Sequence, residues 1–356
     1  MPRPLLLALL AAIGRTDGSA PTTPPTTPPN VAPTAPPSTV SRGAPVTALL
    51  DSAARAIPLR GLTLVVVRAH PTLGDTVLYT HTVGDVGPTT PIPIASASKW
   101  LAGTVVMTAV DEGRLSLDDP VGRFLPTAPA ATRGITVRQL FSHPSGLRGG
   151  EAGCLNDRAT TLARCATELL APPLARAPGT GFDYGGGSMQ VAGHLVQLAT
   201  GREWNALVAE RLVRPLGLAA TTFGSGDNNP RIGGGAVSTA RDYARFLAMQ
   251  LGDGRWRDVR VLSPAAVRAL EADQTRGAPI VDSPHRDGRR YGIGVWRDRV
   301  APDGAALQVS SQGAFGFSPW LDRERGIAGV LAVTTVLGNV YGFVDRLQAA
   351  VREAVR

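Results

Sequence analysis

The chain carries one lysine, Lys99, against 35 arginines. Lys99 follows Ser96 by three residues in Ala95-Ser96-Ala97-Ser98-Lys99. In a composition that uses arginine for ordinary positive charge, a surviving lysine hints at a chemical need. Arginine stays protonated at neutral pH, whereas a buried lysine can lose its proton and act as a base. Serine attacks an acyl carbon only when a neighbour takes its proton. Residues three apart on a helix share a face, about 5–6 Å from one another. Ser96, near a helix start, is therefore expected to present its hydroxyl beside the Lys99 amine. The helix N-terminus adds a positive field that favours a developing oxyanion. Ser-x-x-Lys is a short pattern, so its surroundings must decide.

Other chemistries find little footing. The nearest approach to a Gly-x-Ser-x-Gly elbow, Gly316-Phe317-Ser318-Pro319-Trp320, misses at its last position. The lone lysine does not follow a glycine, which removes a phosphate loop, and Gly185-Gly186-Gly187 lacks the strand and spacing of a dinucleotide turn. There is no Cys-x-x-Cys or His-Glu-x-x-His, and the five histidines, at 70, 81, 143, 194 and 285, are scattered. No metal or cofactor is expected. The formal charge of +8 comes from dispersed arginines without a basic, aromatic-interleaved run, so no nucleic-acid partner is expected.

The elements that must hold this serine can be read from periodicity. At 356 residues and 43% hydrophobic content the chain can bury a large core. Leu5 to Ile13 is an apolar run too short to span a bilayer, and residues 1–20 read as a secretory signal. Residues 21–45 are Pro/Thr-rich and read as an extended tether. The folded domain is expected over 46–356. Val46 to Ile57 has helical spacing, Gly61 to Val67 reads as a buried strand, and Val77 to Gly84 as its hairpin partner. A helix from Lys99 to about Glu112 stops at Gly113. Asp118 or Asp119 then caps a new helix with Pro120 in its first turn. Further helices are expected at Val137–Phe141, Met189–Ala199, Glu203–Leu212 and Thr239–Leu251. Strands return at Tyr291–Val300, Ala306–Ser311, Gly316–Asp322 and Ile327–Val336, and a helix from Tyr341 to Val355 closes the chain. The fold class is α+β: an antiparallel sheet formed by both chain ends, flanked by helices, with a mainly helical insertion lobe. Internal repeats are absent. Cys154 and Cys165 lie in one segment, and in an exported protein they are candidates for a local disulfide.

Several segments, in order, resemble the serine β-lactamase-related family, which includes class C β-lactamases, D-Ala-D-Ala carboxypeptidases and β-lactamase-like esterases. They are Asp111 to Val121 after the Ser-x-x-Lys helix, Leu140-Phe141-Ser142-His143-Pro144-Ser145-Gly146-Leu147, and Pro178-Gly179-Thr180-Gly181-Phe182-Asp183-Tyr184. Gly234 to Asp242 and Gly313-Ala314-Phe315-Gly316 follow. The resemblance covers about residues 46 to 356 and implies a β-lactamase/transpeptidase-like fold. It implies that Ser96 is acylated, that Lys99 withdraws its proton, and that Tyr184 shuttles protons. A phenol titrates near 10, so Tyr184 would need nearby positive charge to act as a base, and Lys99 is expected to supply it. The backbone amides of Ser96 and Ala314 match the oxyanion hole. Gly186, Ser311, Gln312 and Gly313 match positions that contact substrate. His143 is expected to sit in a structured turn and Trp320 to be a packing anchor.

Two motifs depart from the family pattern. Tyr-x-Asn reads Tyr184-Gly185-Gly186, so an amide that would contact substrate is missing. The third motif, Lys-Thr-Gly or His-x-Gly in relatives, reads Ser311-Gln312-Gly313 and offers no cation for a substrate carboxylate. Losing such a charge-assisted bond costs roughly 1.5–3 kcal/mol, although an arginine from elsewhere can replace it. The expectation is an exported, periplasmic or secreted, monomeric serine hydrolase. Its partner is a small-molecule acyl substrate, cleaved in esterase-like fashion, with no transmembrane span after signal cleavage. The alternatives are a β-lactamase or D-Ala-D-Ala carboxypeptidase and, in another class, a catalytically silent envelope-binding protein.

Overall fold

In the computed structural model, residues 43–148, 153–224 and 228–355 are described. The expected signal segment, and all but the last three residues of the Pro/Thr-rich stretch, lie outside them. Residues 40–356 fall in one compact unit.

The sheet is built from both chain ends. Its strands are β1 (Gly61–His70), β2 (Gly74–Gly84), β3 (Trp296–Val300), β4 (Ala306–Ser310), β5 (Ser318–Asp322) and β6 (Ile327–Val333). They run in the order β2-β1-β6-β5-β4-β3, and every neighbouring pair is antiparallel. Alternating side chains of β1 point to opposite faces, and both faces are covered, which explains its unbroken apolar run. Leu62, Leu64 and Val66 meet one cluster, with α1 (Ala44–Ala56) and the C-terminal helix. Val65 and Val67 join the larger cluster shared with the helical lobe. Trp320 on β5 stands opposite Gly329 on β6 and is fully buried; a Cβ at residue 329 would lie 2.2 Å from its ring.

The lobe between the two sheet halves contains α2 (Ser98–Asp111), α3 (Gly187–Thr200) and α4 (Ala240–Leu251); α5 (Tyr341–Ala354) closes the chain. Every residue of α2 from Ser98 to Ala109 is buried, so this helix forms the centre of the molecule rather than a surface. Thr239 caps α4 by accepting from the Asp242 amide. A reciprocal Thr136–Gln139 capping box opens the helix Val137–Phe141.

Three expected elements differ. Only Trp296–Val300 of the Tyr291–Val300 segment is strand, because Gly294 bends the chain against α2: a Cβ on Gly294, whose φ is 86°, would sit 2.1 Å from the Lys99 carbonyl oxygen. The helix expected over Glu203–Leu212 is a run of α-helix Trp204–Val208, a π-turn Ala209–Val213 and a last α-turn Arg214–Leu216. Pro120 is the N-cap of the short helix Val121–Phe124 rather than part of its first turn; Asp119 instead accepts from the Ser116 amide at 2.7 Å.

Candidate active site

Ser96 lies in a single 3-10 turn, Ala95–Ala97, that feeds directly into α2. Ala95 is held at φ 45°, in the left-handed region that a residue with a Cβ rarely adopts. The strain is contained by the turn's hydrogen bonds. Ser98 Oγ donates to the Ala95 carbonyl at 2.5 Å and accepts from the Ala236 amide at 3.0 Å, while the Tyr243 hydroxyl donates to the Ala97 carbonyl at 2.7 Å. From Ala95 to Trp100, Ser96 alone is part-exposed; all its neighbours are buried.

Lys99 follows one turn later and is only 3% exposed. Its Nζ lies 3.0 Å from Ser96 Oγ and donates to the Gly233 carbonyl at 2.7 Å. That carbonyl has a fixed address. Gln190 of α3 donates to Asn229 Oδ1 and to the Pro230 carbonyl, and its Oε1 accepts from the Ile232 amide at 3.0 Å. Asn229 in turn donates to the Cys154 carbonyl at 2.7 Å. Cys154 is joined to Cys165 by a disulfide, the pairing for which sequence gave only candidates. A hydrogen-bonded chain thus runs from the cross-linked segment through Asn229 and Gln190 to the partner of Lys99.

Tyr184 follows the short strand Phe182–Asp183, which pairs with Ile280–Asp282. Asp183 is pinned by Arg176 at 2.8 Å, and the Tyr184 amide donates to the Asp282 carbonyl at 3.2 Å. The Tyr184 ring stacks on Trp296, with centroids 5.2 Å apart, and touches His143 at 4.7 Å. Its hydroxyl is hydrogen-bonded to Ser96, and Lys99 Nζ sits 4.8 Å from its ring centroid. Burial pushes its pKa up to about 12, with the Ser96 hydrogen bond opposing that rise. This corrects the expectation that Lys99 lowers it. Lys99 Nζ is close, but burial of the phenol sets the direction, so Tyr184 stays protonated at neutral pH. His143 is fully buried in a turn at φ 79°, with its pKa held well below the usual range by burial and then by Lys99. It is a neutral ring packed behind the phenol.

Ser96, Lys99, Tyr184, Gly186 and Ala314 line one pocket of about 360 Å³. Gly313 passes so close to the serine turn that a Cβ there would lie 2.1 Å from the Ile94 carbonyl. Its amide donates to the Phe317 carbonyl and closes the turn carrying Ala314. Among the described residues, neither the Ser96 nor the Ala314 amide donates to a protein acceptor. The third motif is arranged differently from the expected substrate contact. Ser311 is buried and turned towards the Ser96 and Gly294 carbonyls, at 3.3 and 3.1 Å. Gln312 is buried beside His285. Neither Ser311, Gln312 nor Gly313 lines the pocket. Two residues that sequence reasoning missed do line it, Arg231 and Phe315. Arg231 Nη1 holds Asn156 Oδ1 at 3.1 Å. The sequence signal for both was position alone: each adjoins a glycine-rich block that resembles the family.

A serine oxygen with an amine at 3.0 Å and a protonated phenol in the same pocket is an arrangement suited to acyl transfer. The model of the Beta-lactamase family matches residues 59–354, and the chain belongs to that family. It has the β-lactamase/transpeptidase-like fold. A β-lactamase-like protein of Bacteroides dorei superposes with a TM-score of 0.77 at 32% identity, covering 88% of this chain and 98% of that one. Among curated relatives, Protein Rv1367c of Mycobacterium tuberculosis is 28% identical over 57% of this chain, which spans 65% of that relative's length. Esterase EstB of Burkholderia gladioli is 26% identical, over 74% of this chain and 81% of the relative. Penicillin-binding protein 4 of Amycolatopsis lactamdurans is 30% identical over 51% of this chain and 56% of the relative. No helix among the described residues is long and apolar enough to cross a membrane.

Proposed function

We propose that this chain hydrolyses esters of neutral acyl substrates through a Ser96 acyl-enzyme. The observation that carries this reading is the position of Ser96 Oγ, 3.0 Å from Lys99 Nζ, with the Tyr184 phenol lining the same pocket. The step requires Lys99 in its amine form, which has two N–H bonds and one lone pair. One N–H serves the Gly233 carbonyl and the lone pair takes the serine proton as Oγ attacks. Negative charge then develops on the substrate oxygen, and the amides of Ser96 and Ala314 receive it. Tyr184, protonated because its pKa is about 12, donates its proton to the departing alkoxide, and the proton that Lys99 took from Ser96 replaces it. Water reverses the sequence and releases the acid.

The ester preference follows from the third motif. Ser311 spends its hydroxyl proton on backbone carbonyls, and no cation stands there for a substrate carboxylate. The second reading, a β-lactamase or D-Ala-D-Ala carboxypeptidase, is favoured by Arg231, a cation on the pocket wall. Export is supported by the Cys154–Cys165 disulfide, since such bonds persist in oxidising compartments. Side-by-side hydrolysis of p-nitrophenyl acetate and nitrocefin tests the choice. Faster ester turnover that is lost in Ser96→Ala upholds it; comparable nitrocefin turnover hands the site to the second reading.

A further inference from the structure

We propose that Phe315 is a specificity-determining residue, and that the substrates of this site carry an uncharged apolar arm lying across its ring. The proposal rests on the hydrolase reading above and adds a substrate class to it.

Phe315 follows Ala314, whose amide faces the pocket, and it lines the same cavity as Ser96, Lys99 and Tyr184. Its side chain is 51% exposed, while Gly316 and Phe317 after it are buried. An aromatic ring exposed on the wall of a cavity offers apolar area to whatever occupies that cavity. The exposure does not come from a loose loop. The Phe315 carbonyl accepts from the Thr335 amide at 3.1 Å, the Ala314 carbonyl from the Leu337 amide at 2.9 Å, and the Gly313 amide donates to the Phe317 carbonyl at 2.8 Å. The backbone on both sides of the ring is fastened, so the ring is presented to the cavity.

The rest of the pocket leaves this ring as its main apolar side chain. Gly185, Gly186, Gly233 and Gly234 form much of the wall and contribute no side chain. Ser311 and Gln312, which precede the turn, are buried, and Ser311 is hydrogen-bonded to backbone carbonyls. An acyl carbon within reach of Ser96 Oγ, with its oxygen at the Ser96 and Ala314 amides, has one substituent beside residue 315. A short hydrocarbon arm there removes apolar area of both partners from water, worth about three- to fourfold in kcat/KM per methylene covered. A carboxylate in the same place would face an aromatic ring and no cation of that turn.

The test uses the full chain with two ester series: p-nitrophenyl acetate, butyrate and hexanoate lengthen the acyl arm, and ethyl, butyl and hexyl acetate lengthen the alcohol arm. p-Nitrophenyl hemisuccinate supplies a charged arm. In one series kcat/KM should rise about tenfold from the shortest to the middle member, and that series identifies the arm on the ring. Phe315→Ala should cut the gain below about threefold, mainly through KM, and Phe315→Leu should retain an intermediate gain. Thermal melts show whether each variant is folded. A flat response in both series, a gain that survives Phe315→Ala in folded protein, or preference for hemisuccinate over butyrate overturns the proposal. Failure of the wild type to turn over any ester instead overturns the underlying ester reading, and this inference with it.

Discussion

Replacing Lys99 by arginine keeps a positive charge while removing the ability to shed a proton at neutral pH. In the structure the amine meets two demands at once, 3.0 Å from Ser96 Oγ and 2.7 Å from the Gly233 carbonyl, and a Cβ built on Gly233 would already be 3.4 Å from Nζ. A planar guanidinium is larger and must press on Gly233 or the Tyr184 ring. It satisfies the carbonyl and leaves Ser96 without a base. General-base assistance is typically worth 10²–10⁴-fold, so kcat for the acylating ester should fall by about that factor, equivalent to about 3–5 kcal/mol of barrier. Lys99→Met provides the complementary case: it removes the charge, leaves the Gly233 carbonyl unsatisfied at a cost of about 1–3 kcal/mol, and should lose activity to a similar degree. The assay is p-nitrophenyl ester turnover alongside fluorophosphonate labelling of Ser96, with a thermal melt for each variant. A folded Lys99→Arg enzyme within about tenfold of wild type would refute the reasoning, because no lone pair would then be needed beside the serine.

Tyr184→Phe removes the phenol that protonates the leaving group, and should lower turnover of alkyl esters with poor leaving groups more than that of p-nitrophenyl esters; equal losses for both would argue against proton donation. Because the folded phenol titrates near 12 and an unfolded one near 10, its stabilising contribution is present below pH 10 and is lost as pH rises towards 12. Alkaline melts should therefore be flatter in Tyr184→Phe over that window. Gly313→Ala drives a Cβ to 2.1 Å from the Ile94 carbonyl and should lower kcat/KM by at least about a hundredfold; near-normal kinetics would show that the two strands can part without harm. Replacing Cys154 and Cys165 together by serine reopens a loop with a sequence separation of 11, and should cost about 3 kcal/mol in a denaturant melt. An unchanged midpoint would show that the loop is held by other contacts.

The sheet was legible because β1 and β6 are continuous apolar runs, which only a strand covered on both faces requires. The Ser96–Lys99 spacing was legible because helical periodicity puts the two side chains on one face whatever surrounds them. Tyr184 was found only through motif order, and the direction of its pKa was misjudged. Charge proximity can be guessed from neighbours in a motif, but the desolvation that wins comes from Trp296, Tyr291 and His143, which are distant in sequence. Ser311 illustrates the same limit: its type was readable, but its orientation depends on the Gly294 carbonyl of a bent segment that periodicity read as strand. Gln190 left no sequence signal, because a buried glutamine inside an apolar helix gives no hint of which backbone groups it will bind.

The strand order also governs when this protein can first act. β1 precedes the helical lobe, yet Leu62 pairs with Val333, which follows it. The turn bearing Ala314 lies between β4 and β5, which also follow the lobe in sequence. A nascent chain holding Ser96, Lys99 and Tyr184 lacks both the strand that completes the sheet centre and one of the two free amides facing the pocket. Closing so long a loop makes the sheet a late, non-local event in folding. A product lacking β6 is correspondingly not a weakened version of the fold but an unassembled one, because β1 then has no partner at the sheet centre.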